Sequence, residues 1–127
     1  MKVLKFGGKS LDNGLGIATV LDIIIDSYQQ GVAPVVVVSA RGKSTDALLA
    51  LVDQARRGEA FDDELARFWA HQGEGLSLSF DEEQRELDRL LTGISLLREC
   101  SPRLEDELVS YGEVLSSKYV AESLRAR

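Results

Sequence analysis

The stretch Val3-Leu4-Lys5-Phe6-Gly7-Gly8-Lys9-Ser10 decides how the rest of the chain is read. Its first four residues form a short apolar strand carrying one lysine, and the paired glycines turn that strand into a loop. A lysine inside an apolar strand has little structural use, because burying an ammonium is costly unless an anion compensates it. Paired glycines let the backbone approach a ligand closely and aim N–H groups at it, and Ser10 adds a hydroxyl. Such a set at the carboxyl end of a parallel strand is a phosphate-binding arrangement, in the place where open α/β sheets bind ligands. The alternative is an ordinary glycine turn with Lys5 snorkelling to solvent.

Further along, Pro34-Val35-Val36-Val37-Val38-Ser39 reads as a second strand, too apolar to have a solvent face, as in a doubly covered parallel sheet. Between the strands, Ile17, Val20, Leu21, Ile24 and Ile25 recur at helical spacing over 14–30, and Gly31 is placed to end that helix. Strand, helix, strand in about 36 residues is a βαβ unit with an expected right-handed crossover. A second helix is expected from Thr45-Asp46 to near Gly58, carrying Leu48, Leu49, Leu51 and Val52, and a third over 61–71. A loop over 73–77 follows. Ser79-Phe80-Asp81-Glu82 reads as a capping box, opening a charged helix with a stripe of Leu87, Leu90, Leu91, Ile94 and Leu97. Ser101-Pro102 starts a last helix running to near Ala126. The expected fold is α/β, with two strands and about five helices. That is too small a parallel sheet for so many helices, so the sheet is expected to be incomplete.

Composition bounds the function. The chain has 127 residues, 15 Lys+Arg against 21 Asp+Glu, a net charge of -6 and 44% hydrophobic residues. This suits one soluble domain or part of one, with no need of a disulfide or metal staple. The single cysteine, Cys100, can build neither a disulfide framework nor a zinc site. The acidic balance disfavours nucleic acid as a partner. No apolar run approaches the ~20 residues that span a bilayer, so no membrane partner is expected and the expected compartment is the cytoplasm.

Gly-Lys-Ser occurs twice, at Gly8-Lys9-Ser10 and Gly42-Lys43-Ser44. A P-loop needs a glycine five residues before its Gly-Lys pair, and those positions hold Val3 and Val37 in mid-strand, so neither triplet is one. Gly14-Leu15-Gly16 lacks the third glycine of a dinucleotide fingerprint. The second junction, Ser39-Ala40-Arg41-Gly42-Lys43-Ser44-Thr45-Asp46, offers hydroxyls, two cations and a helix N-terminus, a set suited to a carboxylate or phosphate. Helix capping by Ser44 or Thr45 is compatible with that use. In the last helix, Gly112 costs about 1 kcal/mol relative to alanine, which close packing or ligand approach would explain. Glu113 shares a small, mostly apolar face with Val109, Ser116, Ser117 and Val120, or is a surface glutamate. His71, Trp69, Cys100 and the charge run over 81–88 have no partner residues near them in sequence and read as structural.

Taken in order, these pieces resemble the N-terminal part of aspartate kinases, in the amino-acid kinase superfamily. That family opens with Lys-Phe-Gly-Gly-Thr-Ser, here Lys5-Phe6-Gly7-Gly8-Lys9-Ser10. It continues with a Val-rich strand ending in Ser-Ala and a nearby threonine, here Ser39-Ala40 and Thr45, then Gly-Glu and a serine, here Gly112-Glu113 and Ser116. Gly93-Ile94-Ser95-Leu96-Leu97 further resembles the kinase half of the fused aspartate kinase–homoserine dehydrogenases. The resemblance spans essentially the whole chain. One departure is Lys9 in place of the usual threonine, which adds a cation beside the phosphates.

The resemblance implies transfer of the γ-phosphoryl of ATP to the β-carboxylate of L-aspartate, the first step towards lysine, threonine and methionine. Lys5 would neutralise the transferring phosphoryl, with Gly7, Gly8, Lys9 and Ser10 around its oxygens. Thr45 and Glu113 would bind aspartate, Glu113 taking its α-ammonium, and Ser39 would sit between the two substrates. The complete enzyme would use ATP and Mg2+, with no cofactor held tightly by these 127 residues and no metal ligands among them. The nucleotide-binding and regulatory ACT parts of the family are absent from residues 1–127. The chain is therefore expected to be the aspartate- and phosphate-binding portion of the catalytic domain, inactive by itself and prone to self-association. The alternative is a non-catalytic amino-acid or phosphate-binding module, or an assembly subunit.

Overall fold

In the computed structural model, which describes residues 1–73 and 79–127, β1 (Val3–Phe6) and β2 (Val35–Val38) pair in parallel. The register sets Val3 against Val35, Leu4 against Val36, Lys5 against Val37 and Phe6 against Val38. The crossover is α1 (Gly14–Gln29), whose N-cap Asn13 accepts from the Gly16 amide at 3.0 Å. Beyond its C-cap Gln30, Gly31 takes φ +93°, a left-handed conformation that ends the helix as expected. Apart from Gly73, the loop expected over 73–77 lies outside the described residues.

Among the described residues, only one face of the sheet is covered. Leu4, Phe6, Val36 and Val38 pack on the core, whereas Val3, Val35 and Val37 are exposed. The valine run was expected to be buried on both faces, and the structure corrects this. An all-apolar strand states that both faces suit burial, but the described elements supply helices for one face alone.

Helix α2 (Ser44–Arg56) is central, packing against α3 (Asp62–Gln72), α4 (Asp81–Leu97), α5 (Pro102–Val109) and α6 (Tyr111–Arg125). Its inward stripe is Leu48, Leu51, Val52 and Ala55, and Leu49, counted with that stripe from the sequence, turns outward. In α4, Leu87, Leu91 and Ile94 are buried, but Leu97 is exposed. It ends the helix beside Arg98, which takes a left-handed φ of 58°. Arg56 on α2 bonds Glu105 on α5 at 3.0 Å, and that hydrogen bond is the main reason its pKa is raised.

Of the two helix starts expected from serine caps, one is present and one differs. Ser101 caps α5 as expected, accepting from the Leu104 amide at 3.1 Å with Pro102 in the first turn. At α4 the cap position is Phe80, and Ser79 accepts from the Asp81 amide at 3.2 Å, a serine turn in place of the capping box. The single last helix expected from the sequence is two. Ser110 ends α5 and begins α6, and its hydroxyl donates to the Glu107 carbonyl at 2.6 Å, competing with the backbone ladder. Val109 therefore belongs to a different helix from Glu113.

Candidate functional site at the carboxyl ends of the strands

Parallel pairing brings the ends of β1 and β2 side by side, and with them the two loops singled out in the sequence. The Ser39 amide donates to the Phe6 carbonyl at 3.1 Å, extending the ladder one step past β2. The Gly8 carbonyl accepts from Gly42 at 2.8 Å and from Leu11 at 3.2 Å, lacing one loop to the other. A Cβ on Gly8 would lie 2.7 Å from the Ala40 carbonyl oxygen, so only glycine permits this approach. At Gly7 an added Cβ would meet nothing within 4 Å. Packing does not demand glycine there, and the open space fits the approach of a ligand.

The Lys5 side chain lies on the uncovered face, and its ammonium donates to the Ser39 hydroxyl at 3.3 Å. Two residues assigned to one chemistry from separate motifs thus meet. Lys9 and Ser10 follow on the exposed side of the first loop. Thr45 is half-buried in the first turn of α2, and Glu113 is exposed in the first turn of α6. Gly112 explains how α6 reaches the site, since an added Cβ would lie 2.8 Å from the Ala40 Cβ. The helix can therefore press its N-terminal turn on the end of β2, beside Ser39. Among the described residues no hydrogen bond joins Thr45 or Glu113 to the Lys5–Ser39 pair. The face expected for Glu113 is corrected too: Ser116 and Val120 are buried, while Glu113 and Ser117 point outward.

The second loop departs most from its reading. Arg41, counted as a cation for an anionic ligand, is wholly buried. Its Nε donates to the Leu11 carbonyl at 2.7 Å, and its Nη atoms donate to the carbonyls of Asp12, His71 and Gln72 at 3.3, 3.1 and 3.1 Å. It also stacks over the Tyr119 ring, 4.2 Å from the centroid. Neither Ser44 nor Thr45 caps α2, whose N-cap is Lys43. Buried Ser44 donates instead to the Arg41 carbonyl at 2.5 Å and accepts from Gln72 Nε2 at 2.7 Å.

His71, read as structural, has a partner that the sequence did not show: its Nε2 lies 3.1 Å from both Asp12 Oδ1 and the Asp12 carbonyl oxygen. Residues so far apart in the chain leave no spacing signal for such a pair. Next to Gly112, the Tyr111 phenol has its pKa raised, first by burial and then by the negative charges of Glu86, Glu107 and Glu83.

Comparison with known proteins assigns the chain to a family. The profile of the amino acid kinase family matches residues 1–127. The chain belongs to the amino acid kinase family. Within it, the chain is 33% identical to the chloroplastic aspartokinase 2 of Arabidopsis thaliana, over 91% of this chain and 23% of the relative. It is likewise 33% identical to the lysine-sensitive aspartokinase 3 of Escherichia coli, over 98% of this chain and 28% of the relative. It therefore spans about a quarter of the length of these kinases. The E. coli aspartokinase III structure in complex with aspartate and ADP superposes with a TM-score of 0.71 at 32% identity, covering 98% of this chain and 29% of that one. An aspartate kinase from Clostridium acetobutylicum shares the fold, with a TM-score of 0.76 at 22% identity over 98% of this chain and 29% of that one. The two-stranded parallel sheet with its helices is thus part of the amino-acid kinase fold, as the sequence led one to expect.

Proposed function

We propose that these residues are the aspartate- and phosphate-binding segment of an aspartate kinase, which transfers the γ-phosphoryl of ATP to the β-carboxylate of L-aspartate. The observation that carries this reading is the Lys5 ammonium 3.3 Å from the Ser39 hydroxyl, beside the open backbone at Gly7. In the reaction a β-carboxylate oxygen attacks the γ-phosphorus, the bond from that phosphorus to the β,γ-bridging oxygen breaks, and ADP leaves with the electron pair. Lys5 neutralises charge on the transferring group, and Gly7, Gly8, Lys9 and Ser10 hold its oxygens. Ser39 lies between the substrates, and Thr45 and Glu113 bind aspartate, Glu113 through the α-ammonium. Phosphoryl transfer needs positioning and charge neutralisation more than a covalent nucleophile, and this residue set supplies both.

The family implies Mg2+ with the nucleotide. The donors around Lys5 are ammonium, hydroxyl and backbone groups, and among the described residues no three His, Cys, Asp or Glu side chains cluster to hold a metal. This segment does not fit the ion, and none of its steps runs through it.

The exposed sheet face of Val3, Val35 and Val37 supports self-association of the isolated chain. No helix among the described residues is long and apolar enough to cross a membrane, and the proposed compartment is the cytoplasm.

The test is aspartate-dependent ADP formation by the full-length protein in a coupled assay, with isothermal titration of L-aspartate and ATP beside it. The reading expects turnover by the full-length protein and none by the 127-residue chain alone. A full-length protein that neither binds aspartate nor releases ADP would overturn it.

A further inference from the structure

We propose that Arg41 is a positioning residue for phosphoryl transfer: one buried guanidinium ties the phosphate loop after β1 to the end of α3 and to α6, the helix that bears Glu113. The proposal rests on the functional reading above, which makes those segments the two halves of one site.

The geometry is unusual for an arginine. A buried guanidinium is costly to desolvate and persists where its donors are satisfied. Here four N–H donors go to four backbone carbonyls on two segments distant in sequence, Leu11 and Asp12 after the glycine loop and His71 and Gln72 at the end of α3. The last carbonyls of a helix lack intrahelical partners and carry partial negative charge, so α3 offers the cation a favourable seat. The π face of Tyr119 closes the third side, fixing α6 further along the helix from Glu113. Arg41 itself stands between Ser39 and Thr45 in the chain, so the loop that supplies it is also part of the site. The pair formed by His71 and Asp12 pins the same two segments from outside, through the Asp12 carboxylate and carbonyl.

A planar fork with five donors can span these carbonyls at once, and an ammonium on a flexible stem cannot. The conservative lysine is therefore expected to fail. Held to the second loop by the Gly8–Gly42 backbone bond and to α3 by the His71–Asp12 pair alone, the loop would shift relative to Ser39, and misplacements of about 1 Å typically cost on the order of 10²-fold in rate.

The experiment compares Arg41→Lys and Arg41→Met in the full-length protein with Leu91→Ala, a core truncation in α4 away from the site. Amide hydrogen exchange is read at Leu11, Asp12 and Gly42. Steady-state kinetics are read for ATP and aspartate at a temperature where all variants are folded. The proposal expects those amides to exchange about tenfold or more faster in both Arg41 variants than in Leu91→Ala. It expects kcat/KM for both substrates to fall on the order of 10²-fold, with no rescue by lysine. Loop exchange equal to the Leu91→Ala control, or faster exchange with unchanged kcat and KM, would overturn it. A wild-type protein without aspartate phosphorylation would overturn the functional reading instead. The exchange comparison would then still decide whether Arg41 holds the loop.

Discussion

Gly8-Lys9-Ser10 and Gly42-Lys43-Ser44 are the same three residues, each shortly past a parallel strand, and the fold uses them in opposite ways. Ser10 is exposed, next to open backbone at Gly7, whereas Ser44 is buried and committed to Arg41 and Gln72. Gly8 is required because the Ala40 carbonyl lies against it. Gly42 adopts a left-handed φ of 52°, with the Asp12 side chain where a Cβ would stand. The first loop thus presents its polar groups outward, and the second turns them inward to hold the first. What distinguishes them is the layer beneath: Arg41 and Ser44 of the second loop are buried against α3 and α6, whereas Gly7, Lys9 and Ser10 of the first are exposed.

The sharpest way to break this contrast is Lys5→Ala in the full-length protein. Turnover is expected to fall on the order of 10²–10³-fold with the thermal midpoint unchanged, because Lys5 lies on an open face; near-normal kcat would remove it from the mechanism. Ser10→Ala should lower kcat/KM by about tenfold, the worth of one hydrogen bond to a charged group, and leave denaturant midpoints alone. Ser44→Ala should do the reverse. It strands the buried Gln72 amide, for an expected loss of about 1–3 kcal/mol in urea unfolding with kinetics near wild type. Equal effects of the two serine substitutions on activity would erase the distinction between the loops.

Gly112→Ala probes the support of the second loop. Alanine ordinarily favours a helix, but the Cβ would collide with Ala40, so a net destabilisation of about 1–3 kcal/mol is expected. The smallest effect concerns Tyr111 beside it. Its folded-state pKa is raised, so the stability of its neutral form is present in full below about pH 10, the unfolded value, and is lost as pH rises through the folded one. Tyr111→Phe should flatten the alkaline end of the stability profile, and an identical decline in both proteins would assign that loss elsewhere.

Much of this was legible beforehand because it depends on short spacings. The βαβ start, the helix stop at Gly31 and the Ser101-Pro102 start all follow from local chemistry, and each is present. Lys5 and Ser39 were assigned separately, and parallel pairing alone brings them to 3.3 Å. The break at Ser110 was hidden, because a serine in a helical pattern reads the same whether its hydroxyl faces solvent or bonds the preceding turn. Leu49 and Leu97 were counted with the core because periodicity ranks a leucine by its angle around a helix, not by what lies opposite.

The amino-acid sequence by itself determined the strand-helix-strand start, the glycine turns and which residue types could meet a phosphate or carboxylate. Backbone preference and hydrophobic period act within a few residues, so they are written along the chain. Only the tertiary structure decided that Arg41 serves carbonyls instead of a ligand, that Ser44 is buried while Ser10 is open, and that Gly112 lets the first turn of α6 close on Ala40. Those outcomes depend on which surfaces come into contact across tens of residues, and burial, not residue type, then determines whether a cation or hydroxyl faces the protein or a ligand.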